Sequence, residues 1–297
     1  MARVPEPLRP LSFGQLIDAA ARLVWAYPAA LIGLAALPLA FFLPLFLLQA
    51  LLLPELNGTA PDLEQFGPWL LQIIVGGIVF VCVLSVVWTV AIAAQTYASA
   101  LARAAQPPAF VNACRVGWGL ISPISWALFL IVGVFAIFAG IAAVLLIALA
   151  SALGDYSMLT FAPLFLCIVA QLYLFARLAL VVPVVVLERG VGMAALRRSA
   201  TLMQGQVLRM IGIFLIVNLA ITLVGGLIAA SLIPLATTVP LLGSLATGLV
   251  QLGAQAIGSA INSALLVLLY FDIRSRVEGF DLEQLLQMTA AAASVTR

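Results

Sequence analysis

The stretch ISWALFLIVGVFAIFAGIAAVLLIALASAL, Ile124 to Leu153, contains no ionisable side chain. A hydrocarbon core about 30 Å thick takes roughly 20 helical residues to cross. The stretch exceeds that length, so it reads as a membrane span with tilt or overhang. Further apolar runs flank it on both sides, and they give spans near Ala29–Leu53, Trp69–Ala94, Met158–Leu187, Val207–Ile233 and Leu241–Phe271. The helix of the second span is expected to continue to about Ala105, where Pro107 and Pro108 end it. The first run is too long for a signal-peptide core and has no short basic segment before it, so it is expected to stay in the mature protein.

Composition agrees with this reading. Of 297 residues, 65% are hydrophobic and 8% charged; soluble domains average roughly 45–50% and about 25%. A soluble chain could not cover that apolar surface, whereas a bilayer solvates it. The predicted fold is therefore all-α: a polytopic helix bundle with about six spans, forming one integral membrane domain over residues 1–297.

Charge gives the orientation. The 13 basic residues are all Arg, and there is no His. Every Arg falls in the N-terminal segment, the second-to-third connection, the fourth-to-fifth connection with its flanks, or the C-terminal tail. The alternate connections carry Glu55, Asp62, Glu64 and Asp155. Positive charge near span ends is retained in the cytoplasm, so both termini are expected inside.

Three amphipathic stripes run into the odd-numbered spans. Phe13, Leu16, Ile17, Ala20, Leu23, Val24 and Tyr27 share a helical face opposite Gln15, Asp18 and Arg22. Ser12 with Gln15 makes a capping box, so this helix should begin at Ser12. Phe110, Cys114, Trp118 and Ile121 form a second stripe, and Met193, Leu196, Ala200, Met203 and Val207 a third. Their similar spacing reads as three copies of an interfacial helix followed by a hairpin, over 1–105, 106–188 and 189–297. Copies of the same topology would be related by rotation about the membrane normal. Ordinary amphipathic connectors are the simpler alternative. Arg22, Arg197 and Arg198 on these helices are candidate contacts for anionic lipid.

Polar residues inside the runs are few. Ser244, Thr247, Gln251, Gln255, Gly258 and Asn262 lie on one side of the sixth helix, with Asn218 and Gln171 placed to face them. This face reads either as a substrate or headgroup groove, or as interhelical packing at roughly 0.6–2 kcal/mol per bond. Gly76-Gly77 and Gly225-Gly226 read as close-packing sites. Arg177 precedes Glu188 by about 16 Å of helix. It is expected to point into the bundle toward Asp272 or Glu188, because a guanidinium facing lipid would cost several kcal/mol. A lone snorkelling Arg is the alternative.

The opening Leu8-Arg-Pro-Leu-Ser-Phe-Gly-Gln-Leu-Ile-Asp18 resembles the start of the glycerophosphoryl diester phosphodiesterase membrane-domain family. Leu187-Glu-Arg-Gly-Val-Gly-Met-Ala-Ala-Leu-Arg-Arg-Ser-Ala200 and Leu269-Tyr-Phe-Asp-Ile-Arg-Ser-Arg-Val-Glu-Gly-Phe-Asp-Leu282 resemble later parts of it. The resemblance implies an all-helical bacterial inner-membrane domain, found attached to a phosphodiesterase in some proteins and alone in many. It implies no activity for the stand-alone form.

Hydrolysis of that kind needs His acid/base groups beside carboxylates that hold a metal. This sequence has no His, and its 11 carboxylates are scattered. It also has no nucleophile elbow, phosphate-binding loop or metal-ligand spacing. Three cysteines at unrelated positions imply neither a disulfide framework nor a zinc site. No enzyme activity, cofactor or nucleic-acid partner is expected. The expected function is structural or partner- and lipid-binding, involving anionic headgroups and either a membrane-protein partner or a second copy of the chain. The alternative is transport of a small or lipidic substrate along the sixth-helix polar face. Few intramembrane acids are present to couple ions, which favours the first.

Overall fold

The computed structural model describes residues 12–42, 63–153, 162–232, 234 and 238–278. Among these the chain is helical, with no strand. The helices are α1 (Phe13–Ala26), α2 (Pro28–Leu39), α3 (Leu63–Arg103), α4 (Phe110–Gly119), α5 (Ile121–Leu153), α6 (Ala162–Leu178), α7 (Val181–Glu188), α8 (Met193–Leu202), α9 (Val207–Ser231) and α10 (Pro240–Glu278). In hydrocarbon every backbone N–H and C=O must be satisfied within the chain, which long helices do unaided.

Among the described residues, five helical stretches are long and apolar enough to cross a membrane: Val79–Arg103, Ile121–Leu149, Ala162–Glu188, Val207–Ser231 and Leu245–Val277. Counting α1 and α2, which are bent by 94°, as one broken span makes six. The protein is a multi-pass, all-α membrane protein. The predicted first span coincides with α2 at its start, and its remainder past Phe42 lies outside the described residues. So do Glu55, Asp62, Asp155 and the tail beyond Glu278.

Each predicted stripe is a separate short helix. Ser12 N–H donates to Gln15 Oε1 (2.9 Å), the reciprocal half of the capping box. On α1 the stripe buries Leu16, Ala20 and Val24 completely. Tyr27 and Pro28 then break the chain, and proline at the first position of α2 leaves no donor unpaired there. Leu120 separates α4 from α5, and 203–206 separate α8 from α9.

The described helices divide between two compact units. One gathers the described residues of Asp18–Ile121 and Ile216–Leu265; the other gathers 12–17, 122–153, 162–215 and 266–278. In the first, α4 packs on α3 through Gly117, whose missing side chain admits the Val90 carbonyl: a Cβ there would stand 2.6 Å from that oxygen. Alanines 91, 93, 94, 98 and 102 give α3 a buried face of small residues. The α3–α4 turn is a Schellman motif. Gln106 N–H donates to the Leu101 carbonyl (3.0 Å) and Ala105 N–H to that of Ala102 (3.1 Å), with Ala105 at φ +56°.

In the second unit the fourth span is interrupted. α6 stops at Leu178 and α7 starts at Val181, with Pro183 in the first turn of α7. There its missing N–H costs nothing, whereas in one unbroken helix it would have removed a bond. α10 runs past the predicted end at Phe271, so Asp272 lies inside a helix and not at its end.

Glycine packing differs from the sequence reading in part. Gly225 packs against Ala254, whose Cβ would meet an added methyl at 3.0 Å, but Gly76, Gly77 and Gly226 face open space. Gly258 supplies a further contact, against Ile221.

Candidate functional site

Two polar assemblies stand out, one in each unit. In the second unit, two carboxylates are each bracketed by two guanidiniums. Glu188 ends α7 and accepts Arg198 Nε and Nη2 at 3.1 and 3.3 Å, the forked geometry that suits Arg to carboxylates. Tyr270, fully buried on α10, donates its hydroxyl to Glu188 Oε1 (2.6 Å). Arg274, one turn further along, lies 3.9 Å from the same oxygen and donates to the Tyr270 oxygen (3.0 Å). Its guanidinium also sits 5.6 Å above the Tyr270 ring. Asp272 is 4% exposed and accepts Arg209 Nη1 (2.8 Å) and Arg276 Nε (3.0 Å). Leaving one partner of such a buried pair without the other is expensive. The helices that carry these side chains are therefore held at their charged ends.

Arg177 does not complete either pair. Its guanidinium sits 5.9 Å over the Tyr173 ring, one turn earlier on α6. Among the described residues it pairs with no carboxylate, because Arg198 and Arg274 take Glu188 while Arg209 and Arg276 take Asp272. The expected approach of Arg177 to Asp272 or Glu188 is thus not among the direct ion pairs of the described residues. Sequence distance from a span end does not reveal which of several arginines faces an acid 63 residues away in the chain. The backbone of Arg177 is used instead. The buried Ser199 Oγ donates to its carbonyl (3.0 Å) in the last turn of α6, where carbonyls lose their helical partners.

The candidate lipid-contacting arginines divide. Arg197 is exposed. Arg198 is committed to Glu188, and Arg22 pairs with Asp18 one turn earlier on α1. Arg22 holds the Asp18 carboxyl below the usual carboxylate range, by hydrogen bonding first. Arg189 is also exposed. It ends α7 in the left-handed conformation, φ +56°, that glycine adopts without strain.

In the first unit the sixth-helix polar face borders a groove of about 260 Å³. Trp88, Asn218, Thr222, Gln255, Ser259 and Asn262 line it with apolar neighbours, and none of the lining residues is charged. Asn262 and Asn218 bond reciprocally through their carboxamides, at 3.1 and 3.5 Å. Ser259 Oγ donates to Gln95 Oε1 on α3 (3.2 Å). The predicted Asn218–Asn262 juxtaposition is present. Gln171 is instead committed within its own unit, to the Phe135 carbonyl (3.5 Å) and Cys167 Sγ (3.3 Å). Gln251 is exposed one turn before Gln255 and does not line the groove. Trp88 and Gln95 were not legible as site residues, since each sits in a run that reads as ordinary apolar or small-residue helix.

Among the described residues no group of His, Cys, Asp or Glu is placed to hold a metal. Burial pushes the Cys114 thiol up, so at neutral pH it rests as the weakly nucleophilic thiol. Searches of protein-family models, curated proteins and solved structures found no match to this chain.

Proposed function

We propose that the chain is a non-catalytic protein of the bacterial cytoplasmic membrane that binds anionic headgroups at its arginine-bearing end. In this reading both termini are cytoplasmic, and the bound lipid helps to organise a membrane-protein partner or a second copy. The observation that carries it is the pairing in the second unit. Glu188 and Asp272 there each accept arginine side chains, and Arg189 and Arg197 stand exposed on the same connection. Anionic surfaces attract such residues by about 1 kcal/mol each. The resemblance to the phosphodiesterase membrane-domain family supports the bacterial setting and says nothing of catalysis.

Full-length protein in nanodiscs, titrated with labelled phosphatidylglycerol against phosphatidylcholine, tests this. Preference for the anionic lipid should weaken with salt, and by about tenfold in the Arg189→Ser/Arg197→Ser variant. Equal binding of the two lipids would refute the reading. A second reading, passage of a small or lipidic solute along α10, is favoured by the groove in the first unit alone.

A further inference from the structure

Asn218 and Asn262 sit near the middle of the stretches Val207–Ser231 and Leu245–Val277, at a depth where a polar atom without a partner costs several kcal/mol. The two asparagines satisfy part of each other's capacity. Gln255 and Thr222 do not share in this: among the described residues neither side chain makes a hydrogen bond, and both line the groove. An amide with two donors and an acceptor, a free hydroxyl, and the remaining Asn262 N–H therefore face the same space.

That set selects by chemistry. No lining residue is ionisable, so a charged ligand would lose its hydration without gaining a counter-charge. A neutral ligand must both donate and accept, at several separated points. A hydroxyl does both and rotates to suit, whereas an amide edge fixes one direction for each atom. Trp88, 40% exposed, adds an apolar ring face suited to the C–H face of a saturated ring. The volume of about 260 Å³ holds a ring of monosaccharide size and not a whole phospholipid.

We propose that the groove lined by Trp88, Asn218, Thr222, Gln255, Ser259 and Asn262 binds an uncharged polyhydroxylated ring, either free or as the head of a lipid. The inference deepens the solute-passage reading of this face and is independent of the anionic-lipid site.

The test uses full-length protein in nanodiscs prepared without glycoside detergents. Radiolabelled octyl β-glucoside, kept below its micelle concentration, is titrated against protein-loaded and empty discs. Saturable binding above empty discs is expected, with at least a tenfold loss in Gln255→Leu. That variant removes a side chain with no internal partner, so its thermal midpoint should stay unchanged, which separates loss of the site from loss of the fold. Octyl phosphate and octyltrimethylammonium should not compete. Competition by methyl β-glucoside would assign the ligand to the aqueous phase, and its absence would assign it to lipid.

Binding equal to that of empty discs, binding unaffected by Gln255→Leu, or equal competition by either charged analogue would overturn the proposal. Binding in the discs with no glucoside flux in sealed vesicles would refute solute passage alone and leave the site standing.

Discussion

Gly117 has no room for a methyl group. The atom it would meet is the Val90 carbonyl, part of the α3 backbone, which cannot swing aside as a side-chain tip would. Gly117→Ala should therefore lower stability by about 1–3 kcal/mol, the range for overpacking a tight contact. Gly76→Ala, with open space around it, should be neutral or gain up to about 1 kcal/mol of helix propensity. Thermal unfolding in one detergent, followed by size-exclusion profile, compares the two; equal midpoints would contradict the packing. Ala105 presents the opposite case. It occupies a left-handed cap position at a cost of roughly 1–2 kcal/mol, so Ala105→Gly should raise the midpoint.

The break in the fourth span tests how elements are held. Ser199→Ala removes the buried donor to the Arg177 carbonyl and should cost about 1–2 kcal/mol, since that carbonyl loses its side-chain partner. A double-mutant cycle on Arg209 and Asp272 should show coupling well outside error, while one on Arg177 and Asp272 should be additive. This contrast also marks what the sequence conveys. The short amphipathic helices and the start at Ser12 were legible because amphipathic period and capping act between neighbours three or four residues apart. The Asn218–Asn262 pair was legible because mid-span amides must find partners. Partner choice among the arginines was not, because it depends on how helices remote in the chain are rotated. Nor was Gly117 distinguishable from Gly76: close approach belongs to the facing backbone, not to the glycine.

Across the whole molecule, reporter fusions at Pro107 and after Arg297 should read cytoplasmic, and fusions at Asp62 and Asp155 external. One clear inversion would remove the proposed orientation. A separate consequence follows from where α10 sits in the chain. Its first part supplies Ser259 to Gln95, a residue 164 positions earlier, and its last part supplies Tyr270 to Glu188, 82 positions earlier. A ribosome delivers α10 after every other described helix. Until then Gln95 and Glu188 are already in place and lack these two partners. The nascent protein thus passes through a stage in which Gln95 and Glu188 lack partners that only the insertion of α10 supplies. A chain stopped at Ser231 should be degraded far faster than the full chain in a pulse–chase, and deleting the membrane protease should restore its level. Equal half-lives would mean that the partners supplied by α10 do not protect the chain.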